Sequence, residues 1–334
     1  MFQIAPTIKD VARLSGLSTA TVSKYLNGFS VKEQNRIKIE SAIKSLNFSV
    51  NSLARGLKTN RTMTVGVLIP SLENIFATSI VSHIERVLQE YGYSTIICDY
   101  NGSAKLENAK FDFLMNRFAD GIIIMPLGLS EEKVRNALEK DVPIISIDRP
   151  MKNRECDVVL ADNMNASYNA VEHLITRGHR EIGIICGPQD IYTAQERLKG
   201  YLRVHEDYGM QVDEKNIKYG DYGIQSGYDM MKSFIKESGR VDAVFVTNYE
   251  MTLGAVMAIN EMNIRIPDEL SFIGFDNQHL ATVVKPNLTI VVQPIRQIGE
   301  CAAELLLRRL NGDKTNHPAV YRLKTELHEG HSVR

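Results

Sequence analysis

Residues 7–28 read Thr7-Ile8-Lys9-Asp10-Val11-Ala12-Arg13-Leu14-Ser15-Gly16-Leu17-Ser18-Thr19-Ala20-Thr21-Val22-Ser23-Lys24-Tyr25-Leu26-Asn27-Gly28. Thr7 stands where an N-cap belongs, Ile8, Val11, Ala12 and Leu14 follow at helical spacing, and Gly16 ends the helix. Ser18 caps a second helix, Thr19 to Leu26, with Ala20, Val22 and Leu26 as its apolar face and Asn27-Gly28 as its stop. A third helix is expected from about Lys32 to Leu46 on Ile37, Ile39, Ala42, Ile43 and Leu46. Two short helices joined by the tight Ser15-Gly16-Leu17-Ser18 turn are the pattern of a helix-turn-helix. The second helix then offers Thr19, Thr21, Ser23 and Lys24, three hydroxyls and a long cation, to base edges and phosphates.

Charge supports that reading. Residues 1–61 hold ten basic side chains against Asp10, Glu33 and Glu40, whereas the remainder holds 29 basic and 37 acidic residues, for a net charge of -1. A basic head can neutralise phosphates while an acidic body avoids them.

The 334 residues, 44% hydrophobic and 24% charged, exclude a disordered chain and leave room for two domains or more. Beyond residue 61, apolar runs alternate with helical patterns. Strands are expected at Thr64–Pro70, Ser94–Asp99, Gly121–Pro126 and Val142–Asp148, then at Glu181–Gly187, Ala243–Thr247 and Leu270–Asp276. Strands apolar on both faces imply two parallel sheets covered by helices, with a ligand at strand C-termini or between domains.

No dinucleotide fingerprint, phosphate loop or nucleophile elbow occurs, and His328-Glu329-Gly330-His331 lacks zincin spacing. Cys98, Cys156, Cys186 and Cys301 lie far apart, so reduced thiols and no metal or cofactor are expected. Cys98 and Cys186 read as small buried hydrophobes, and His173 and His179 as partners of a helix C-terminus. No apolar run reaches membrane-span length, and Met1–Pro6 lacks the start of a secretory signal, so a cytoplasmic protein is expected, and with no nucleophile or cofactor motif it is not expected to be an enzyme.

The 7–28 stretch closely resembles the DNA-binding head of the lactose-repressor (LacI/GalR) family of bacterial transcription regulators. The resemblance continues through Asn51-Ser52-Leu53-Ala54-Arg55-Gly56-Leu57-Lys58-Thr59, similar to the family's hinge helix. It also covers Gly178-His179-Arg180, Glu196-Arg197-Leu198-Lys199-Gly200-Tyr201, Gly274-Phe275-Asp276-Asn277 and Leu288–Pro294 of its periplasmic-binding-protein-like core.

The resemblance implies an α-helical helix-turn-helix head plus an α/β core of two doubly wound parallel-sheet subdomains. The expected domains are a head at 1–49, a hinge helix and linker at 50–61, and an effector-binding and dimerisation core at 62–334. Within the core, the N-subdomain is placed at about 62–161 and 292–320 and the C-subdomain at about 162–291 and 321–334. It implies DNA contacts by Thr7, Ser18, Thr19, Ala20, Thr21, Ser23, Lys24 and Asn27 in the head, and by Asn51, Ala54, Arg55, Leu57 and Lys58 in the hinge. Leu57 matches the leucine that wedges into the minor groove, a device that kinks DNA by unstacking one base step.

Effector contacts are implied for Asp148, Arg197, Asn248 and Asp276, with Ser71, Asn74 and Phe76 on the N-subdomain wall. Carboxylates and amides accept from hydroxyls, and arginine donates in pairs. Asp148 serves equally as a turn cap, Arg197 as a structural ion pair and Phe76 as an ordinary buried side chain. Tyr249 stands where the family carries an aspartate, positioned to stack on a ligand or to block it. The expected protein is a homodimeric repressor of carbohydrate-related genes, binding a near-palindromic operator and answering to a sugar-like effector. The alternative is a global regulator controlled by a protein co-repressor, as in carbon-catabolite control.

Overall fold

The computed structural model describes residues 6–26, 29–48, 61–152, 155–237, 241–276 and 278–334. These fall in two compact units, one up to Met63 and one from Thr64.

The first unit contains α1 (Ile8–Ser15), α2 (Thr19–Leu26) and α3 (Glu33–Leu46). Asp10 reaches back from the first turn of α1 and accepts from both the N–H and the hydroxyl of Thr7. Gly16 ends the helix at φ 67°, a left-handed conformation that side chains resist. Ser18 Oγ accepts from the Thr21 N–H at 3.2 Å, opening α2. Val11, Ala12, Val22, Ile39 and Ala42 form the buried centre, and Tyr25, Leu26, Ile43 and Leu46 pack around it.

Three apolar side chains expected inside are exposed: Leu14, Ala20 and Ile37. A residue two places from a buried one lies on the far side of a 3.6-residue turn, so Ala20 faces away from Val22 and Ile37 away from Ile39. Leu14 sits roughly a quarter-turn off the stripe made by Val11, Ala12 and Ser15.

The second unit has two lobes. The first contains β1 (Thr64–Ile69), α4 (Ile75–Glu90), β2 (Ser94–Asp99), α5 (Ala104–Asn116), β3 (Gly121–Ile124), α6 (Glu131–Glu139), β4 (Ile144–Ile147) and β5 (Asp157–Ala161). The second contains α7 (Asn163–Thr176), β6 (Ile182–Cys186), α8 (Tyr192–Asp207), β7 (Ile217–Tyr219), α9 (Ile224–Lys236), β8 (Ala243–Val246), α10 (Tyr249–Glu261), β9 (Ser271–Phe275), α11 (Gln278–Val283) and β10 (Thr289–Val292). The chain ends with α12 (Ile295–Leu310), β11 (Val320–Leu323) and β12 (Glu326–His328).

The sheets run β11-β5-β4-β3-β1-β2 and β12-β10-β9-β8-β6-β7, and among the described strands only the β12–β10 pairing is antiparallel. Both sheets are therefore doubly wound with the same strand order, which places each switch point beside the first strand of its lobe. The chain leaves the first sheet after β5, returns after β10, and crosses last between Leu323 and Glu326. That last passage follows the 320–321 boundary expected from sequence, because β11 pairs with β5 as far as Leu323.

Burial explains the apolar runs. β1 is buried from Val65 to Ile69, and β3, β4, β5, β6, β8 and β9 are buried throughout. Close packing fixes the helices above them. A Cβ on Gly254 of α10 would stand 1.9 Å from the Ile224 carbonyl of α9, so only glycine allows that approach. Cys98 and Cys186 are buried, as expected. The side chain of His179 does not cap the helix. Its ring is buried with Nδ1 3.2 Å from Asp242, and the α7 terminus is closed by Gly178 at φ 97° and the His179 N–H on the Leu174 carbonyl.

Candidate functional site

In the head, the described side chains expected to face DNA are exposed or half-buried. Ser18, Thr19, Ala20 and Lys24 are exposed, and Thr21 and Ser23 half-buried. Thr7 and Ser18 are engaged in the caps described above, so their hydroxyls shape the helix starts. Tyr25 donates to Glu40 at 2.8 Å, as does Arg36, tying α2 to α3. The three head carboxylates all pair within the head, Asp10 with Arg13 and Glu33 and Glu40 with Arg36. Lys9, Lys24, Lys32, Lys38 and Lys44 have no acidic partner among the described residues, which leaves a positive surface. Asn27, Asn51, Ala54, Arg55, Leu57 and Lys58 lie outside the described residues.

In the core, all eight side chains singled out from sequence line one cleft of about 400 Å3 between the lobes: Ser71, Asn74, Phe76, Asp148, Arg197, Asn248, Tyr249 and Asp276. All but Arg197 arrive there because they follow a strand C-terminus or lie at the start of the next helix, whereas Arg197 reaches in from the second turn of α8. Asp148 follows β4 and Asp276 follows β9. Both are left-handed, at φ 69° and 60°, a conformation aspartate tolerates better than most residues. Each donates its backbone N–H to the neighbouring strand, Asp148 to Val159 and Asp276 to Val291, so the two lobes present equivalent carboxylates.

Arg197 enters from α8 and is 4% exposed. Its Nε donates to Asn163 Oδ1 at 2.8 Å and its Nη1 to the Thr247 carbonyl at 2.6 Å. The guanidinium lies over Phe275, 4.0 Å from the ring centroid. These contacts hold the charge without a carboxylate bonded to it, so the structural ion pair considered from sequence is not what anchors Arg197. Asp276 accepts from Gln293 Nε2 at 3.1 and 2.9 Å, and burial pushes its carboxyl up to about 6 against the pull of Arg197. Gln293 Oε1 is buried with no hydrogen-bond partner among the described residues.

Asp148 accepts from Arg149 Nε at 3.1 Å. Asn74 and Asn248 are the N-caps of α4 and α10. Phe76 is half-buried, with a face on the cleft, and Tyr249 does not close it. Phe76, Tyr249, Asp276 and Gln293 also line a larger opening of about 750 Å3 that reaches His83, His279 and Arg296.

Sequence reasoning missed Arg149, Thr193, Tyr222, Glu250 and Gln293, which line the same cleft. Arg149 and Glu250 adjoin residues already chosen, and Gln293 follows a strand. Tyr222 lies in a loop with no local signal. Among the described residues there is no cluster of His, Cys, Asp and Glu suited to a metal ion, and no helix long and apolar enough to cross a membrane.

A helix-turn-helix unit and a two-lobed core with a polar cleft define a DNA-binding regulator built to answer to a small molecule. The chain belongs to the LacI family of bacterial regulatory proteins. The model described as "Bacterial regulatory proteins, lacI family" matches residues 7–51, and that of a "Periplasmic binding protein-like domain" matches residues 171–333. The HTH-type transcriptional repressor PurR of Vibrio atlanticus (strain LGP32) is 34% identical over 331 residues, 98% of either chain. Among solved structures, the lac repressor dimer bound to operator and the anti-inducer ONPF is 25% identical with a TM-score of 0.87, over 98% of this chain and 99% of that one. The complex of transcriptional regulator CelR with cellobiose is 29% identical with a TM-score of 0.74, over the same shares. The relatives are transcription regulators, and this chain is a DNA-binding transcription regulator.

Proposed function

We propose that this chain is a repressor of carbohydrate-related genes that binds a near-palindromic operator as a dimer and responds to a neutral, hydroxyl-rich small molecule held between its lobes. The observation that carries this reading is the convergence of Asp148, Arg197, Asn248 and Asp276 on one cleft beside Phe76. Carboxylates and amide oxygens accept from ring hydroxyls, and an aromatic face packs against a sugar ring. Glu73, Asp148, Glu250 and Asp276 outnumber Arg149 and Arg197 in the lining, which leaves no surplus positive charge to hold a phosphate. The relative complexed with cellobiose supports a sugar-like effector.

On the DNA side, Thr19, Ala20, Thr21, Ser23 and Lys24 face the major groove, with Thr7, Ser18 and Asn27 at the phosphates. Asn51, Ala54, Arg55 and Lys58 then flank the Leu57 wedge. Residues 1–49 form the DNA-binding domain, 50–61 the hinge and 62–334 the effector core, acting in the cytoplasm without catalysis. Ligand shifts the lobe arrangement and with it the fraction of protein able to bind DNA.

The test is a thermal-shift screen of the full chain against sugars, sugar phosphates, purines and amino acids, with DNA affinity measured for each ligand that binds. A ligand of the folded state raises its melting temperature. A neutral sugar that also changes operator affinity supports the reading. A sugar phosphate or purine overturns the effector class, and silence across the panel points to the protein co-repressor.

Two further outcomes are expected. Lys24→Ala should weaken operator binding about tenfold, the loss of one charged base or phosphate contact. A fluorescence-anisotropy titration across salt concentrations checks it. Sugar affinity should fall as pH drops through about 6, because protonating Asp276 removes an acceptor. The same raised carboxyl makes its own contribution to stability greatest in acid and lost as pH rises through about 6. Calorimetric titration at several pH values checks the affinity, and Asp276→Asn should flatten the profile.

A further inference from the structure

Glu250, in the first turn of α10, sits between the two lobes. Its Oε1 accepts from Asn74 Nδ2 at 3.1 Å, and its Oε2 accepts from Asn248 Nδ2 at 2.8 Å. Asn74 caps α4 of the first lobe and Asn248 caps α10 of the second. Each asparagine already uses Oδ1 to accept a helix N–H, from Ala77 at 2.8 Å and from Met251 at 3.1 Å. The caps therefore fix which way both amides point, and both N–H donors converge on one carboxylate. The Asn74–Glu250 bond joins residues 176 apart in sequence and spans the cleft. All three residues also line that cleft.

We infer that Glu250 is a positioning residue, a tie between the lobes through which the ligand-free core sets its lobe arrangement and hence its affinity for operator. Two charge-assisted bonds on one half-buried carboxylate bias the lobes toward the arrangement in which Asp148 and Arg149 face Arg197 and Asp276. A ligand bonding to Asn74, Asn248 or Glu250 competes with the tie directly, so occupancy of the cleft and lobe arrangement are coupled at this carboxylate. Rim contacts elsewhere in the cleft would not have that effect.

The test exchanges donor and acceptor. Asn74→Asp keeps a helix-capping oxygen on α4 but turns the tie into a repulsion between carboxylates. Glu250→Gln added to it restores a donor toward residue 74 while its Oε1 still accepts from Asn248. The readout is the operator Kd of the full chain without added ligand, on a DNA duplex selected by the wild type from a randomised library. Asn74→Asp should move that Kd at least fivefold, and the double variant should return it to within twofold of wild type. A shift in either direction followed by rescue supports the tie, and its sign tells whether the tied arrangement favours DNA. An unchanged Kd in the single variant, or a double variant no better than the single, overturns it. Melting temperatures of both variants exclude misfolding as the cause. A Glu250→Ala variant, which removes both bonds without adding a charge, should reproduce the Asn74→Asp shift.

Discussion

Arg197→Ala is expected to abolish the change in operator affinity caused by a sugar found in the screen, while the ligand-free protein binds DNA as the wild type does. The guanidinium is buried, held edge-on by Asn163 and the Thr247 carbonyl and flat over Phe275. It is the cation in the second lobe's wall that stands beside Asp276. A ligand deprived of this donor loses at least about 100-fold in affinity, in line with truncating a buried, hydrogen-bonded charge. The helix-turn-helix lies in a separate compact unit, so its own contacts are untouched. The variant also strands the Asn163 and Thr247 oxygens, and a stability loss of about 1–3 kcal/mol accompanies the lost response. Calorimetric titration gives the ligand term and anisotropy the DNA term. A variant that still responds places the effector elsewhere.

The second large effect is on stability. Asp157 opens β5, one strand-length before the first passage between the lobes, and is fully buried. Its carboxylate accepts from Arg309 Nε at 2.6 Å and Nη2 at 3.2 Å, from the Ala319 N–H at 2.9 Å, and pairs with His317 Nδ1 at 3.0 Å. Arg309 in turn donates to the Asp313 and Thr315 carbonyls. One carboxylate thus pins the end of α12 and the segment that leads into β11.

Asp157→Ala leaves a buried guanidinium without its counter-ion and should cost about 3–5 kcal/mol, measured by denaturant unfolding. Burial alone would raise the Asp157 carboxyl, but Arg309, the Ala319 N–H and His317 outweigh it and hold it below the ordinary aspartate value. Its stabilising contribution is therefore present above the unfolded-state pKa and is lost as pH falls through the lower folded-state value. Unfolding at a series of acidic pH values should show this slope in the wild type and a shallower one in the variant. Equal slopes would mean that Asp157 is not the group being titrated.

Much of the molecule was legible from the order of residues. Thr7, Gly16 and Ser18 declare the helix-turn-helix through bonds made within three or four positions. The continuous apolar runs of β1, β3, β4, β6, β8 and β9 announce strands covered on both faces, because burial there leaves no alternating polar residue. Asp148 and Asp276 were marked by the family resemblance, and each ends an apolar run, where the strand's C-terminus opens on the cleft. Strands such as β7, β11 and β12 did not stand out, being short, partly exposed and without an apolar run.

Tertiary structure alone decided what those residues touch. Gln293 met Asp276 only when β10 aligned beside β9 in the sheet, and Glu250 met Asn74 only when the two lobes came together. Caps and periodicity arise from neighbours in sequence, so sequence by itself determined the head, the two sheets and the strand ends that face the cleft. The ties across that cleft depend on how two separately folded lobes are brought together, and no local pattern of residues carries that information.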